Sequence, residues 1–366
     1  KYVKKLMPGN YIKFSVDDLT TLKQTEYYSK LPNGSYADLS EDQAIDELDK
    51  LLTTAVKRQL LSDVPVGFFL SGGLDSTLLV AIAKKLEPKT NFPCFTIDAN
   101  KNNEMNKEGF IDDLFYAKKA AKYLNVDLNI VKSDINIVKD FDKMIWHLDE
   151  PQADAAPLNV LNIAKIASKK NIKVLIGGTG GDDLFSGYRR HLALRYDKLL
   201  ESTPLTIRRL IKQAVFFMPS DRVFFRRLKK FCENIDNNQE TRLIGYFNWI
   251  SPSLVKKLLS KHIAKITSRY DSSSYFRKLL ASLKNEKNLL NKMLYLEQKT
   301  FLVDHNLNYT DKMSMAVGVE TRVPYLDIDL VEFSQNLNPN FKLKNGETKF
   351  ILKKVAERYL PKEIIY

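Results

Sequence analysis

Cysteine and histidine are scarce: the 366 residues hold only Cys94 and Cys232, and only His147, His191, His262 and His305. Two cysteines build no disulfide framework and no CxxC metal site, and no two histidines stand at ligand spacing. Zinc-dependent and disulfide-stapled classes are therefore set aside. Cys94 sits in the apolar run 92–97 and is expected as a buried thiol, a usage that fits a reducing cytoplasm. No apolar run reaches the roughly 20 residues that a bilayer requires, and no apolar stretch follows Lys1, Lys4 and Lys5 as in a signal peptide. No G-x-x-x-x-G-K-[ST] occurs, which disfavours a Walker-type kinase or GTPase. The sequence also lacks an initiator Met and reads as a piece of something longer.

Acidic residues are outnumbered by basic ones, 44 to 57, giving a net charge of +13. The excess is mostly scattered lysine. Its densest cluster is Arg208, Arg209 and Lys212, followed by Arg222, Arg226, Arg227, Lys229 and Lys230. Helical apolar spacing makes this first a solvated helix face, and only then a nucleic-acid or membrane surface. Neither nucleic acid nor membrane is expected as a partner.

What the sequence does have is order. Residues 1–39 are short, extended and turn-rich, with Tyr11 to Phe14 alternating as a strand within a linker. Ser40 and Gln43 form a capping-box pattern, and Ile45, Leu48, Leu52 and Val56 carry a helix to about residue 61. Strands are predicted at 66–70, 94–97, 128–131 and 172–176. Helices are predicted at 77–86, 112–124, near 136–147, and at 157–169. This alternation implies a doubly wound α/β fold, a parallel sheet covered on both faces. Residues 191–300 read as wholly helical, and 301–366 as mixed helix and loop.

Two glycine turns follow predicted strands. Ser71-Gly72-Gly73-Leu74-Asp75-Ser76 runs from strand to helix, so backbone N–H groups and a helix N-terminus converge where an anion can sit. Two hydroxyls add donors. Asp75 repels phosphate unless a cation lies between, which implicates Mg²⁺. Gly177-Gly178-Thr179-Gly180-Gly181-Asp182-Asp183 follows the last predicted strand, and such loops meet at the carboxyl edge of a parallel sheet. Asp182 is then the natural partner of Asp75 on the metal. Two such loops, each with an aspartate, could face the same triphosphate from two sides.

These residues resemble the synthetase domain of the glutamine-dependent asparagine synthetase family, a branch of the N-type ATP pyrophosphatases. The resemblance covers nearly the whole chain. It rests on Leu6-Met7-Pro8-Gly9, the run 61–76, Phe95-Thr96-Ile97, Asp149-Glu150-Pro151 with Asp154, Asp182 to Tyr188, Asp311 to Met315, and Glu320 to Asp327. It implies an ATP-pyrophosphatase (adenine nucleotide alpha hydrolase-like) fold with a large helical C-terminal half. It implies a remnant of an N-terminal glutaminase domain plus linker in 1–39, and a synthetase domain in 40–366. Leu70, Ile97, Gly177 and Gly178 would contact adenosine, and Ser71, Gly72, Gly73, Asp75 and Ser76 would hold the pyrophosphate. Asp75 and Asp182 would hold Mg²⁺, and Lys349 would neutralise charge at the reacting phosphate. Without the family, Lys349 reads as a helix-surface lysine.

The implied reaction joins aspartate and ammonia through an acyl-adenylate, releasing AMP and pyrophosphate, with glutamine as the ammonia source in a full-length enzyme. Two departures stand out. Thr179 occupies a position that is usually acidic, so either another group such as Asp183 substitutes or the acceptor is a different carboxylate, for example a uronic acid of surface polysaccharide. The glutaminase domain is also missing from the sequence. tRNA-thiolating enzymes share the SGGxDS loop, but the catalytic cysteines or RNA-binding appendage that they usually carry have no counterpart here. A catalytically dead scaffold is countered by the intact Asp75, Asp182 and Lys349. A homodimer is left open.

Overall fold

The computed structural model describes residues 5–17, 23–99, 113–133, 137–152 and 154–366. The chain opens with an antiparallel hairpin, β1 (Asn10–Lys13) and β2 (Lys23–Glu26). Only its first strand is legible in the sequence, because Lys23-Gln24-Thr25-Glu26 has no apolar face. Helix α1 (Glu41–Leu60) follows the capping box: Ser40 Oγ accepts from Gln43 N, and Gln43 Oε1 accepts from Ser40 N at 2.9 Å.

Five parallel strands then form the sheet: β3 (Val66–Phe69), β4 (Cys94–Ala99), β5 (Leu128–Ser133), β6 (Val174–Ile176) and β7 (Glu320–Arg322), in the order β5-β4-β3-β6-β7. The connecting helices are α2 (Leu74–Leu86), α3 (Asp113–Leu124), α4 (Ile137–Leu148) and α5 (Ala156–Lys169). The expected helix starts at 112 and 136 lie outside the described residues. One face of the sheet buries Phe68, Cys94 and Ile176 under α1, α2 and α3. The other buries Phe95, Val131 and Leu175 under Ile163, Ala164 and Ala167 of α5. Apolar side chains thus alternate to both faces, as a doubly covered parallel sheet requires.

Strand β7 has no apolar run to announce it. It joins the edge through its backbone, with Val174 opposite Glu320 and Ile176 opposite Arg322. Arg322 Nη1 then donates to the carbonyls of Gln59 and Leu61, each at 2.8 Å, satisfying the unpaired end of α1. Part of the late motif 320–327 is therefore a clamp on the first helix.

Beyond β6 come the short helix α6 (Gly181–Phe185), the hairpin α7 (Leu205–Phe216) and α8 (Val223–Cys232), then α9 (Pro252–Leu258), α10 (Lys261–Thr267) and α11 (Leu289–Lys299). A π-helical turn (Leu302–Leu307) runs into α12 (Asn308–Met315). A two-residue hairpin, β8 (Leu343–Lys344) and β9 (Glu347–Thr348), delivers the chain to α13 (Phe350–Ala356).

The chain leaves β3 outward through β4 and β5, then returns to pair β6 on the other side of β3. The loops after β3 and β6 diverge at that switch point and leave a crevice between them. Gly72 shapes the first loop. Its φ is +84°, and a Cβ there would lie 2.5 Å from the Ala117 nitrogen and 2.6 Å from the Asp113 carbonyl oxygen. Gly72→Ala therefore has both backbone strain and a clash with unyielding main chain. It should cost about 2 kcal/mol, read as a lower urea midpoint at unchanged slope.

Candidate active site

The loop after β3 closes on itself. Ser76 Oγ donates to the Gly73 carbonyl at 3.2 Å and accepts from Ser71 N at 3.3 Å, while Ser71 Oγ stands 3.1 Å from it and accepts from Gly73 N. No side chain caps α2, so its first N–H groups are left for something outside the helix. The second loop crosses directly above: a Cβ on Gly181 would lie 2.4 Å from Asp75 Oδ2. Only a residue without a side chain lets the two loops pack this closely.

Lys349 lies between the loops. Its ammonium is 2.7 Å from Asp75 Oδ1 and 2.7 Å from Asp182 Oδ1. Its backbone is left-handed (φ +54°), directly after the β8–β9 hairpin, so the side chain turns into the cleft instead of lying on a helix surface. A Cβ on Gly187 would collide with Asp182 Oδ1 and lie 2.4 Å from Lys349 Cε. Burial works against the ammonium, but the charges of Asp75 and Asp182 outweigh it and hold Lys349 above its ordinary pKa. Burial pushes the Asp75 carboxyl up; the Lys349 charge pulls it down, and the Asp182 charge adds to the rise. Two carboxylates and one ammonium leave a net negative charge in a buried place. All the free donors are hard oxygens, which suits Mg²⁺. Among the described residues no group of three or more acidic, histidine or cysteine side chains gathers to hold a metal, so a cation at this pair depends on other ligands, as Mg²⁺ does when it shares phosphate oxygens.

The cleft, of about 530 Å³, is lined by the polar, glycine-rich loops on one side and by aromatic side chains on the other. Ser71, Gly73, Asp75, Ser76, Gly177, Gly178, Thr179, Asp182, Asp183 and Lys349 all border it. Gly72, Leu70 and Ile97 do not. Gly72 faces α3, Leu70 is wholly buried in the core with its N–H on the Phe95 carbonyl, and Ile97 packs against the second core face. Tyr325, which the sequence reading did not single out, supports the floor by donating to the Asp75 carbonyl.

The aromatic half comes from segments that offered no chemical signature. Trp249, Phe301, His305 and Tyr309 line it, and the π-helical turn carries His305 inward. Such turns recur at functional sites because the extra residue redirects a side chain. His305 stacks on Phe301 at 4.7 Å and lies 3.4 Å from Asp154 Oδ2. Burial lowers its pKa, yet the bonds to Asp154 and Asn306 and the Asp154 charge leave it above the ordinary histidine value. Of the motif residues 149–154, Asp154 reaches the cleft, while Asp149 pairs with Lys312 at 2.7 Å.

Asp183 is almost wholly buried. One of its oxygens faces the Tyr188 hydroxyl at 3.4 Å and the other has no hydrogen-bond partner. Burial, then the charges of Glu297 and Asp182, push its carboxyl up to about 8. The folded state therefore keeps a proton that the unfolded chain releases near pH 4, and the stability tied to it falls as pH rises from about 4 to about 8. Relative to Asp183→Asn, the wild type should lose stability across that window, measured as urea midpoints at pH 5 and pH 8; parallel curves would remove the buried proton.

The asparagine synthase family model matches residues 47–366. Asparagine synthetase [glutamine-hydrolyzing] 1 of Bacillus subtilis (strain 168) is 29% identical, over 100% of this chain and 54% of its own length. Amidase chyE of Penicillium rubens is 26% identical, over 100% of this chain and 57% of its own. A putative asparagine synthetase of Mycobacterium tuberculosis (strain ATCC 25618 / H37Rv) is 26% identical, over 100% and 53%. The chain thus spans about half the length of the relatives it matches. With its family model covering all but the first 46 residues, the chain belongs to the asparagine synthase family.

Proposed function

We propose that this chain activates a carboxylate with ATP and converts it to an amide, aspartate being the first acceptor to test. The observation that carries this reading is Lys349 held between Asp75 and Asp182, across two loops at the switch point of a parallel sheet. The acceptor carboxylate attacks the α-phosphorus, the bond to the bridging α–β oxygen breaks, and pyrophosphate leaves. Ammonia then attacks the acyl carbon, AMP departs, and the new nitrogen gives up a proton. Ser71, Ser76 and the N–H groups that open α2 hold the departing pyrophosphate, and Lys349 stabilises charge on it. Asp75 and Asp182 are the residues that would hold Mg²⁺, which when bound offsets phosphate charge. Gly177 and Gly178 form the adenosine side of the cleft, with Leu70 and Ile97 packed in the core behind it. Thr179 carries no proton that moves at neutral pH. Asp183 borders the cleft, and with its carboxyl pushed up to about 8 only its ionised form, which grows as pH rises toward 8, takes the proton shed in amidation.

A second reading is amidation of another carboxylate, such as a uronic acid. One observation favours it: the acceptor half of the cleft is lined by the rings of Trp249, Phe301 and Tyr309 around His305 and Asp154. An aspartate has no ring or apolar face to set against them. The name of the Penicillium relative, an amidase, is in keeping with a family whose acceptors differ.

The full-length gene product, given ATP, Mg²⁺ and ammonia, should release pyrophosphate only with a matching carboxylate. Aspartate and glucuronate in parallel distinguish the two readings. Lys349→Gln should lower that release by roughly 10²- to 10³-fold while keeping a cooperative unfolding transition. A folded Lys349→Gln protein with wild-type turnover would sink both readings together.

A further inference from the structure

Helices α7 and α8 do not bury their apolar stripe as a solvated helix pair would. Val215 and Cys232 face inward, but Phe216, Phe217 and Phe224 stand 73%, 84% and 68% exposed around the turn that joins the two helices. Between residues 205 and 230, eight side chains are Lys or Arg and one, Asp221, is acidic. The pattern continues on α9 and α10, where Leu258 and Ile266 are exposed beside Lys256, Lys257, Lys261 and Lys265, with no acidic residue from 249 to 270. A groove lined by Phe216, Lys230, Ile250 and Leu254 joins the two parts, and Trp249 borders both this groove and the cleft.

We propose that this face docks on an anionic lipid surface. The three phenylalanines enter the boundary between headgroups and acyl chains, and the surrounding arginines and lysines meet headgroup phosphates. Aromatic side chains ringed by cations on short amphipathic helices are the chemistry of an interfacial anchor. Long basic side chains keep their charge in the headgroup layer while their stems cover apolar surface. A second copy of the chain is a poorer occupant, since a two-fold contact sets this basic face against itself, even with Lys212 and Lys230 paired to Asp236 and Glu233. Another protein domain is poorer too, because the centres of protein interfaces are depleted of the lysine that is interleaved here. The cleft mouth at Trp249 then lies beside the bilayer.

The test is co-sedimentation of the full-length gene product with vesicles of phosphatidylcholine alone or mixed equally with phosphatidylglycerol. Binding is expected to the mixed vesicles, at least about tenfold weaker to the neutral ones, and lost near 0.5 M salt. A Phe216→Ser, Phe217→Ser, Phe224→Ser variant should bind at least about tenfold more weakly and still release pyrophosphate at the parent rate. Arg209→Glu with Arg227→Glu, which leaves every apolar side chain in place, should weaken binding as well and guards against a misfolded triple variant. Absence of binding to the mixed vesicles, equal binding to both kinds, or full binding by both variants overturns the proposal. So does light scattering that shows an oligomer split by the serine variant with no lipid bound, or retention on polyuridine with none. Pyrophosphate release is read separately, so failure of the docking and failure of the ATP reading are distinct results.

Discussion

One ammonium held between two aspartates fixes the rest of the site. Asp75 comes from the loop after β3 and Asp182 from the loop after β6, and the buried Asp75 carboxylate beside the half-buried Asp182 calls for a cation. Lys349 supplies it from a third segment, and its Coulomb attraction is strong because the group is shielded from water. The arrangement is also frustrated. One positive charge serves two negative ones, and desolvation still pushes Asp75 upward. A site left short of positive charge is one where a further cation would be stabilised.

The surrounding structure serves this triad. The sheet order opens a crevice where β3 and β6 diverge, and glycines remove the side chains that would hold the loops apart. Tyr325 steadies the Asp75 backbone, and Arg322 ties β7 to the end of α1. A deeper layer supports α6: His191 Nε2 lies 2.9 Å from both oxygens of Glu297, and Gln298 donates to the Asp183 carbonyl. These contacts lie behind the reactive groups and keep them in register.

The central strands and their helices were legible because apolar runs and helical spacing coincide with flanking glycines, as at 66–76 and 174–181. Strands β2 and β7 were not, since their pairing uses only backbone and their side chains are polar. Within the site, the convergence of the two glycine loops could be read from the sequence, because glycine-rich turns that follow strands of a parallel sheet gather at its carboxyl edge. The aromatic half could not. His305 and Phe301 are single residues at a π-helical turn that leaves no pattern in a one-dimensional reading, and Trp249 meets them from a loop far away in the sequence. Gly72, Leu70 and Ile97 show the converse: the sequence marks them, yet their side positions face the core or a neighbouring helix instead of the cleft.

The origin of Lys349 has a consequence for how the protein is made. It reaches Asp75 across 274 residues of sequence, and Asp182 across 167. A ribosome adding roughly 5–20 residues per second delivers both aspartates on the order of ten seconds or more before the lysine that neutralises them. During that interval the two aspartates lack the ammonium that bridges them in the folded chain. The triad is thus completed only when the β8–β9 hairpin and α13 dock, and a molecule interrupted between residues 322 and 349 has the five-stranded sheet without that lysine.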